Sequence, residues 1–164
     1  MINKMSIKFI VKDHFSTFSL KDKIIFFYVP SIFAIIFALI LSKSLSIEVI
    51  NILLVSLSIF VGFLLNLLVI SVSIRDDKKK VQFGNKVYTI NYFLDQFNDN
   101  ISFELLLAVF TIIMLIMNAL IPSNNFYIQF TFNIIIITLL SWFFMTLFQI
   151  IKKGHILFGY YLKK

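Results

Sequence analysis

The sequence predicts an all-α membrane protein: a bundle of four transmembrane helices with both chain ends in the cytoplasm. Three observations lead to this prediction. The 164-residue chain is 60% hydrophobic and only 14% charged, which is more apolar surface than a soluble domain of this size can bury. Four apolar stretches reach about 20 residues, the length that crosses a bilayer. Nearly all of the cations lie in the segments that flank those stretches on one predicted side of the membrane.

The four predicted spans form a single domain that covers residues 1–164, and they are 24–42, 49–74, 103–121 and 126–151. The second and fourth spans exceed the minimum length, so we expect them to tilt or to project into the cytoplasm. Pro30 lies near the start of the first span, where its missing N–H costs little. The first 23 residues are too charged for the apolar part of a signal peptide, so we expect the first segment to be retained.

The distribution of Lys and Arg predicts the orientation. The connections SKSLSIE and PSNN contain Lys43 as their only cation, and the other 14 of the 15 Lys and Arg lie in 1–23, 75–102 and 152–164. This bias places those three segments in the cytoplasm. The net charge of +7 then orients the protein and contacts anionic headgroups of the lipid bilayer. We expect no direct nucleic-acid binding, because the cations flank spans and do not form one patch.

The loop 75–102 is the largest predicted polar segment between spans. In KKKVQFGNKVYTI, two alternating runs surround Gly84-Asn85, which predicts a short cytoplasmic hairpin. In NYFLDQFNDNI the apolar residues have helical spacing, which predicts an interfacial helix over 90–101 that leads into the third span. The N-terminal MSIKFIVK also alternates. It either adds a strand to the hairpin, which is the prediction we favour, or forms a second interfacial helix.

No pattern of catalytic or metal-binding residues is present in the sequence. Cysteine is absent, the two histidines lie in predicted tails, and the eight carboxylates are scattered. We therefore expect no enzymatic activity, no cofactor and no metal. Glu104 at the start of the third span is either a gate or subunit-contact charge or, as we favour, a first-turn acid that complements the helix dipole. Proton- or ion-coupled transport is not indicated, because the deep positions of the spans hold no ionisable group.

A stripe of small and polar residues follows the second span. Ser58, Gly62 and Asn66 are spaced by four and share one face of a helix, a pattern that lets helices approach closely in lipid. Similar residues mark the other spans, and the predicted helix-packing or oligomer-interface residues are Ser58, Gly62, Asn66, Ala34, Ala38, Thr111, Asn118, Asn133 and Gln149. They form either the core of a monomeric bundle, or a subunit interface or narrow pore. Asn133 lies about 160° from the Gln149 face, which favours a homo-oligomer.

The stretch SLSIFVGFLLNLLVI, the charged loop, the interfacial helix and NISFELLLAVFTIIML, within residues 46–121, resemble the small four-helix membrane proteins of bacterial antiphage defence islands, such as the Kiwa membrane subunit. The resemblance implies a non-enzymatic subunit of the bacterial inner membrane. Such a subunit oligomerises, senses or recruits a cytoplasmic protein partner, and perturbs the membrane when triggered. The alternatives are an accessory, scaffold or immunity-type subunit of a transporter or secretion complex, or a holin-like pore.

The loop 75–102 is the predicted contact surface for that partner or for lipid. Its candidate contact residues are Arg75, Lys78, Lys79, Lys80, Asp95 and Asp99. The lysines hold the loop to anionic lipid. Release of the helix 90–101 is expected to change the tilt of the third span.

Overall fold

The structure is a computed structural model that describes residues 7–16, 20–41, 45–74, 80–83, 86–120 and 126–162. These ranges contain five helices and two strands. The helices are α1 (Ile7–Ser16), α2 (Leu20–Leu41), α3 (Ile47–Ser73), α4 (Ile90–Leu120) and α5 (Phe126–Leu162). The strands β1 (Lys80–Phe83) and β2 (Lys86–Thr89) lie between α3 and α4 and pair antiparallel, with Val81 opposite Tyr88. The predicted turn residues Gly84 and Asn85 lie outside the described residues.

Three helices are long and apolar enough to cross a membrane. They are α3 and the segments Asn91–Leu120 of α4 and Tyr127–Leu157 of α5. The fourth, α2, contributes the shorter apolar stretch Ile24–Leu39. The prediction of a mainly helical protein with apolar helices of membrane-spanning length is therefore confirmed for three of the four expected spans.

The helices pack in a row that places α5 between α2 and α4, and α4 between α5 and α3, with α1 against α4. A hydrogen bond between Trp142 and Phe26 and another between Ser71 and Asn98 join the helices at one end of the bundle. We call it the basal end: α2 and α4 begin there, and α3 and α5 end there. The opposite end is the distal end.

α3 shows how the sequence directs this packing. Its start is capped by Ser46, whose hydroxyl accepts a hydrogen bond from the Val49 N–H at 3.3 Å, as is typical of an N-cap. Its buried residues, Ile50, Leu57, Leu64 and Ser71, are spaced by seven. This spacing keeps a narrow stripe on one side of a helix, and α3 uses it to pack against α4.

One apolar cluster joins α3, α4 and α5. Its buried members are Ile50, Leu57, Leu64, Phe97, Ile101, Ala108, Leu115, Ile136, Phe143, Leu147 and Ile150. A smaller cluster of Ala34, Ala38 and Ile137 joins α2 to α5. Both alanines have no exposed surface, so the two helices meet without long side chains between them.

Pro30 lies well inside α2, because that helix begins at Leu20. The prediction that Pro30 is near a helix start is therefore wrong. Proline lacks an N–H, so the carbonyl of Phe26, four residues earlier, loses its helical donor. Trp142 Nε1 of α5 donates to that carbonyl at 3.0 Å, and the two aromatic rings stack with centroids 6.2 Å apart. A side chain of α5 thus replaces the backbone donor that α2 lacks.

Residues 7–16 of the N-terminal segment form a helix, so the favoured prediction of a strand there is wrong. Ile10, Val11 and Phe15 of α1 are partly buried and His14 is fully buried. These positions, three and four residues apart, share one helix face. The alternation that suggested a strand covers too few residues to distinguish a period of 2.0 from one of 3.6.

The interfacial helix predicted over 90–101 is the first part of α4, with no break before the apolar part. Phe93, Leu94, Phe97 and Ile101 are buried against protein, so the prediction that this apolar face rests on lipid is wrong. The segment after residue 151 also continues α5 up to Leu162. These extensions of α4 and α5, together with α1, build the basal end.

A candidate functional site at the basal end

Four polar side chains are buried at the basal end, where α1, α4 and α5 meet. They are His14 of α1, Asn100 and Glu104 of α4, and Thr146 of α5, and none has more than 1% of its surface exposed. We call them the basal polar cluster. Asn100 and Glu104 are one helical turn apart and share a face of α4. Buried polar groups in an apolar bundle are costly unless they are paired, which makes this cluster the candidate site.

His14 connects α1 to α4 through a hydrogen bond. Its Nδ1 lies 3.0 Å from Asn100 Oδ1. An amide oxygen only accepts hydrogen bonds, so the proton resides on Nδ1 of His14. Burial lowers the pKa of His14 from its ordinary 6.5 to about 4, against the opposing effect of the Asn100 hydrogen bond and with a smaller contribution from the Lys153 charge. His14 is therefore a neutral hydrogen-bonding group near pH 7.

Aromatic rings surround His14 and fix α1 in place. The His14 ring stacks on Phe103 with centroids 4.0 Å apart and planes 10° apart. Phe15 stacks on Phe27 at 5.3 Å and meets Phe103 edge-on at 5.6 Å. Such pairs contribute about 0.5–1.5 kcal/mol each beyond the area they bury. These contacts hold α1 against both α2 and α4.

Glu104 lies well past the first turn of α4, which begins at Ile90. The favoured interpretation of Glu104 as a first-turn acid is therefore wrong. Its side chain has no exposed surface, and within the described residues neither carboxyl oxygen has a hydrogen-bond partner. The Thr146 hydroxyl lies beside the carboxyl, but it donates to the Trp142 carbonyl at 3.0 Å. In the same part of the chain, Asn100 Nδ2 also has no acceptor.

Three consecutive residues of α4 connect it to three different helices. Asn98 bonds Ser71 of α3, Asp99 attracts Lys153 of α5, and Asn100 bonds His14 of α1. Successive helical residues point about 100° apart, so one turn reaches all three neighbours. We call residues 98–100 the hub turn. It lies next to Glu104, so a change at the basal polar cluster has a short route to every helix that packs against α4.

The structure buries five of the nine predicted packing residues: Ala34, Ala38, Thr111, Asn118 and Asn133. Gln149 is half-buried. The Thr111 hydroxyl donates to the Leu107 carbonyl of its own helix at 2.7 Å. Asn133, which we used to argue for a partner outside the bundle, is only 2% exposed. That argument is wrong, because the face of α5 opposite Gln149 is already covered within this chain.

Ser58, Gly62 and Asn66 lie on the exposed side of α3. Gly62 and Asn66 are each about 160° from Leu64, the centre of the buried stripe. A Cβ atom built on Gly62 meets nothing within 4 Å among the described residues. The prediction that this stripe packs in the core of the same chain is therefore wrong. Its contact with a second chain stays a prediction.

Most of the predicted loop contacts lie outside the described side chains. Arg75, Lys78 and Lys79 are outside the described residues, and Lys80 opens β1. Asp95 is exposed on α4. Asp99 is half-buried in the hub turn, where Lys153 of α5 is its electrostatic partner. Its contact with a soluble partner or with lipid stays a prediction.

The sequence analysis did not identify His14, Asn100 or Trp142 as site residues. The available signals were weak: Asn100 precedes Glu104 by one turn, and Trp142 is the only tryptophan. Comparison with known proteins adds no further information, since no protein-family model, curated protein or solved structure matches this chain. Within the described residues, no group of three His, Cys, Asp or Glu could hold a metal ion. The chemistry that the basal polar cluster can perform is hydrogen bonding and proton exchange.

Proposed function

We propose that this chain is a non-enzymatic integral membrane subunit that works as a homo-oligomer. The exposed face of α3 forms the contact between copies, and the basal end faces the cytoplasm. The observation that carries the proposal is the position of Ser58, Gly62 and Asn66, which are exposed on a helix of membrane-spanning length. In the hydrocarbon core, an asparagine amide has no water to bond. A neighbouring protein helix is the partner that satisfies it.

Gly62 supports a close helix–helix contact on this face. The space around it is open to 4 Å among the described residues, so a second backbone can approach, as small residues allow in membranes. Asn66 carries both a donor and an acceptor, so two copies related by a two-fold axis can satisfy each other. One such hydrogen bond contributes only about 0.6–2 kcal/mol. The pair therefore sets the register of the contact more than its strength.

For the biological role, we propose a sensor or effector of bacterial antiviral defence in the inner membrane. It acts by perturbing the membrane or by recruiting a cytoplasmic protein partner. The resemblance of residues 46–121 to defence-island membrane proteins supports this role. Exposed Lys8, Lys12 and Lys152 at the basal end support a cytoplasmic location for that end, and they suit contact with anionic headgroups or an acidic partner surface.

Cysteine cross-linking tests the α3 contact, since the chain has no cysteine of its own. Ser58→Cys places a thiol on the proposed face. Phe63→Cys is the matched control, because Phe63 is also exposed but points about 100° away from Gly62. We expect an oxidant to link two copies of the Ser58→Cys chain in membranes, and to link the control much less. Adding Gly62→Leu should abolish the link by forcing the helices apart.

Three results contradict the proposal. A Ser58→Cys chain that stays monomeric, or that links no better than the control, means that the face meets lipid. A link to a different host protein indicates an accessory subunit of a hetero-complex.

For the defence role, wild-type expression should protect cells from phage and Asn66→Leu should protect them less. Equal plaque counts with and without the wild-type gene remove that role.

A further inference from the structure

We propose that Glu104 is a proton-binding site. Its carboxyl carries a proton at neutral pH, and loss of that proton opens the basal polar cluster and loosens α1 from α4. This inference does not depend on the proposed oligomer or on the defence role, because it rests on contacts within one chain.

Burial without a partner is the first step of the argument. Glu104 has no exposed surface, and within the described residues neither of its carboxyl oxygens accepts a hydrogen bond. An ionised carboxylate in such surroundings loses the hydrogen bonds of its hydration water and gains no hydrogen bond from the described residues in their place. A carboxyl group so placed takes up a proton instead.

The groups that face Glu104 supply no positive charge. α1 brings His14, which burial keeps neutral near pH 7. α5 brings Thr146, which is uncharged. Lys153 of α5 is paired with Asp99 of α4 and not with Glu104. The same side of the bundle contains apolar Phe26 of α2. A proton is therefore the ligand that neutralises the carboxyl at this position.

The neighbouring Asn100 connects this proton to α1. Its Oδ1 accepts the His14 hydrogen bond, while its Nδ2 has no acceptor in the described part of the chain. An ionised Glu104 needs donors, and the amide of Asn100 lies one turn away on the same face. Turning that amide towards the carboxylate moves Oδ1 away from His14. Ionisation of Glu104 thus breaks the hydrogen bond that joins α1 to α4.

Infrared spectroscopy of the purified protein in lipid vesicles tests the bound proton directly. At pH 7 we expect the C=O stretching band of a protonated carboxyl, sensitive to exchange into D2O and lost at high pH. Glu104→Gln should lack the band, and Asp95→Asn, which alters an exposed carboxylate, should retain it. A wild-type spectrum without the band at pH 7, or a Glu104→Gln spectrum with it, overturns the proposal.

Glu104→Gln is a suitable variant because glutamine matches the neutral acid in size but has no proton that it can lose by titration. We expect this variant to insert with wild-type helix content by circular dichroism. If it does not insert, Glu104→Asp keeps the acid, and its band should shift in frequency without disappearing. A spectrum unchanged by Glu104→Asp assigns the band to another carboxyl and overturns the proposal.

Hydrogen exchange of residues 7–16 tests the link to α1. Raising the pH increases amide exchange in both proteins through base catalysis. In the wild type we expect a larger increase for these amides than in Glu104→Gln, because only the wild type loses the proton at Glu104. The ratio of the two exchange rates at each pH removes the chemical effect of base. A ratio that stays constant while the infrared band disappears overturns the proposed link, because the proton is then lost without loosening α1.

Discussion

Pro30 and Trp142 form an energetic pair although they lie on different helices. Proline removes the donor for the Phe26 carbonyl, and the indole N–H supplies one at 3.0 Å. Phe26 is only 1% exposed, so water does not reach this carbonyl readily. A buried acceptor left without a donor costs about 1–3 kcal/mol.

A double-mutant cycle measures this pair. Trp142→Phe keeps an aromatic ring and removes the donor, so we expect it to lower the free energy of unfolding by about 1–3 kcal/mol. Pro30→Ala restores the backbone N–H that can bond Phe26. In the Pro30→Ala background, Trp142→Phe should therefore cost less. Unfolding in mixed detergent micelles gives the four free energies. Equal costs in both backgrounds would show that packing of the indole ring, and not its N–H, accounts for the effect.

His14 predicts an acid-sensitive fold. Its pKa is lowered to about 4 in the folded chain from an ordinary 6.5, so the unfolded chain binds more protons between these two pH values. Stability is then complete above pH 6.5 and falls as the pH drops towards 4, by about 3 kcal/mol at most. Thermal unfolding of wild type and His14→Gln at several pH values checks this. The difference between the two proteins should change over this window, and a constant difference would contradict it.

At the scale of elements, α3 has the simplest attachment to the bundle. It buries four residues spaced by seven, and its neighbour Leu65 is 49% exposed while Leu64 has no exposed surface. This contrast between adjacent leucines separates the effect of packing from the effect of composition. It also shows that the exposed side of α3 contributes little to the fold of one chain.

Leu64→Ala and Leu65→Ala form a matched pair. In a soluble core, Leu→Ala costs about 2–5 kcal/mol. In a membrane the separated helices are surrounded by lipid and not by water, so the loss of free energy comes mainly from the cavity that the shorter side chain leaves. We therefore expect Leu64→Ala to lower the free energy of unfolding by roughly 1–2 kcal/mol. Leu65→Ala should cost much less. Unfolding in detergent measures both variants. A Leu65→Ala cost as large as that of Leu64→Ala would mean that the register of α3 differs from the one described.

The positions of the apolar helices could be predicted from the sequence, because length and hydrophobicity act locally. Which side of each helix packs against its neighbours could not be predicted. A helical wheel gives angles within one helix, so it found the face of Gly62 and Asn66 but not that Leu64 packs instead. The basal polar cluster was missed for a related reason. His14 and Asn100 are 86 residues apart, and nothing local in either segment indicates the other.

At the scale of the whole molecule, the helices α4 and α5 are longer than the hydrocarbon of a membrane is thick. With 31 and 37 residues, α4 and α5 measure roughly 46 and 55 Å, against about 30 Å of hydrocarbon. The excess of α4 is about 11 residues at 1.5 Å each, which at the basal end are residues 90–100, and the excess of α5 includes its end. The hub turn is therefore placed at or beyond the edge of the hydrocarbon, on the side where the lysines lie.

Reporter fusions test the orientation of the molecule. A fusion after residue 164 should have the activity of a cytoplasmic reporter, and an insertion in the 122–125 loop should have that of an external one. The physical reason is the cation bias of 14 to one, which keeps the basal end inside. An external reporter at residue 164 with an internal one at 122–125 would reverse the assignment, and external reporters at both positions would show that α5 does not cross the membrane.

The hydrogen bond between Trp142 and the Phe26 carbonyl also has a consequence for biosynthesis. The two residues are 116 positions apart, and translation at about 5–20 residues per second separates their appearance by on the order of ten seconds. During that interval the indole that donates to the Phe26 carbonyl has not yet been synthesised. The hydrogen bond between the two helices therefore forms only late in synthesis, because α5 must reach α2 before the indole can donate to this carbonyl.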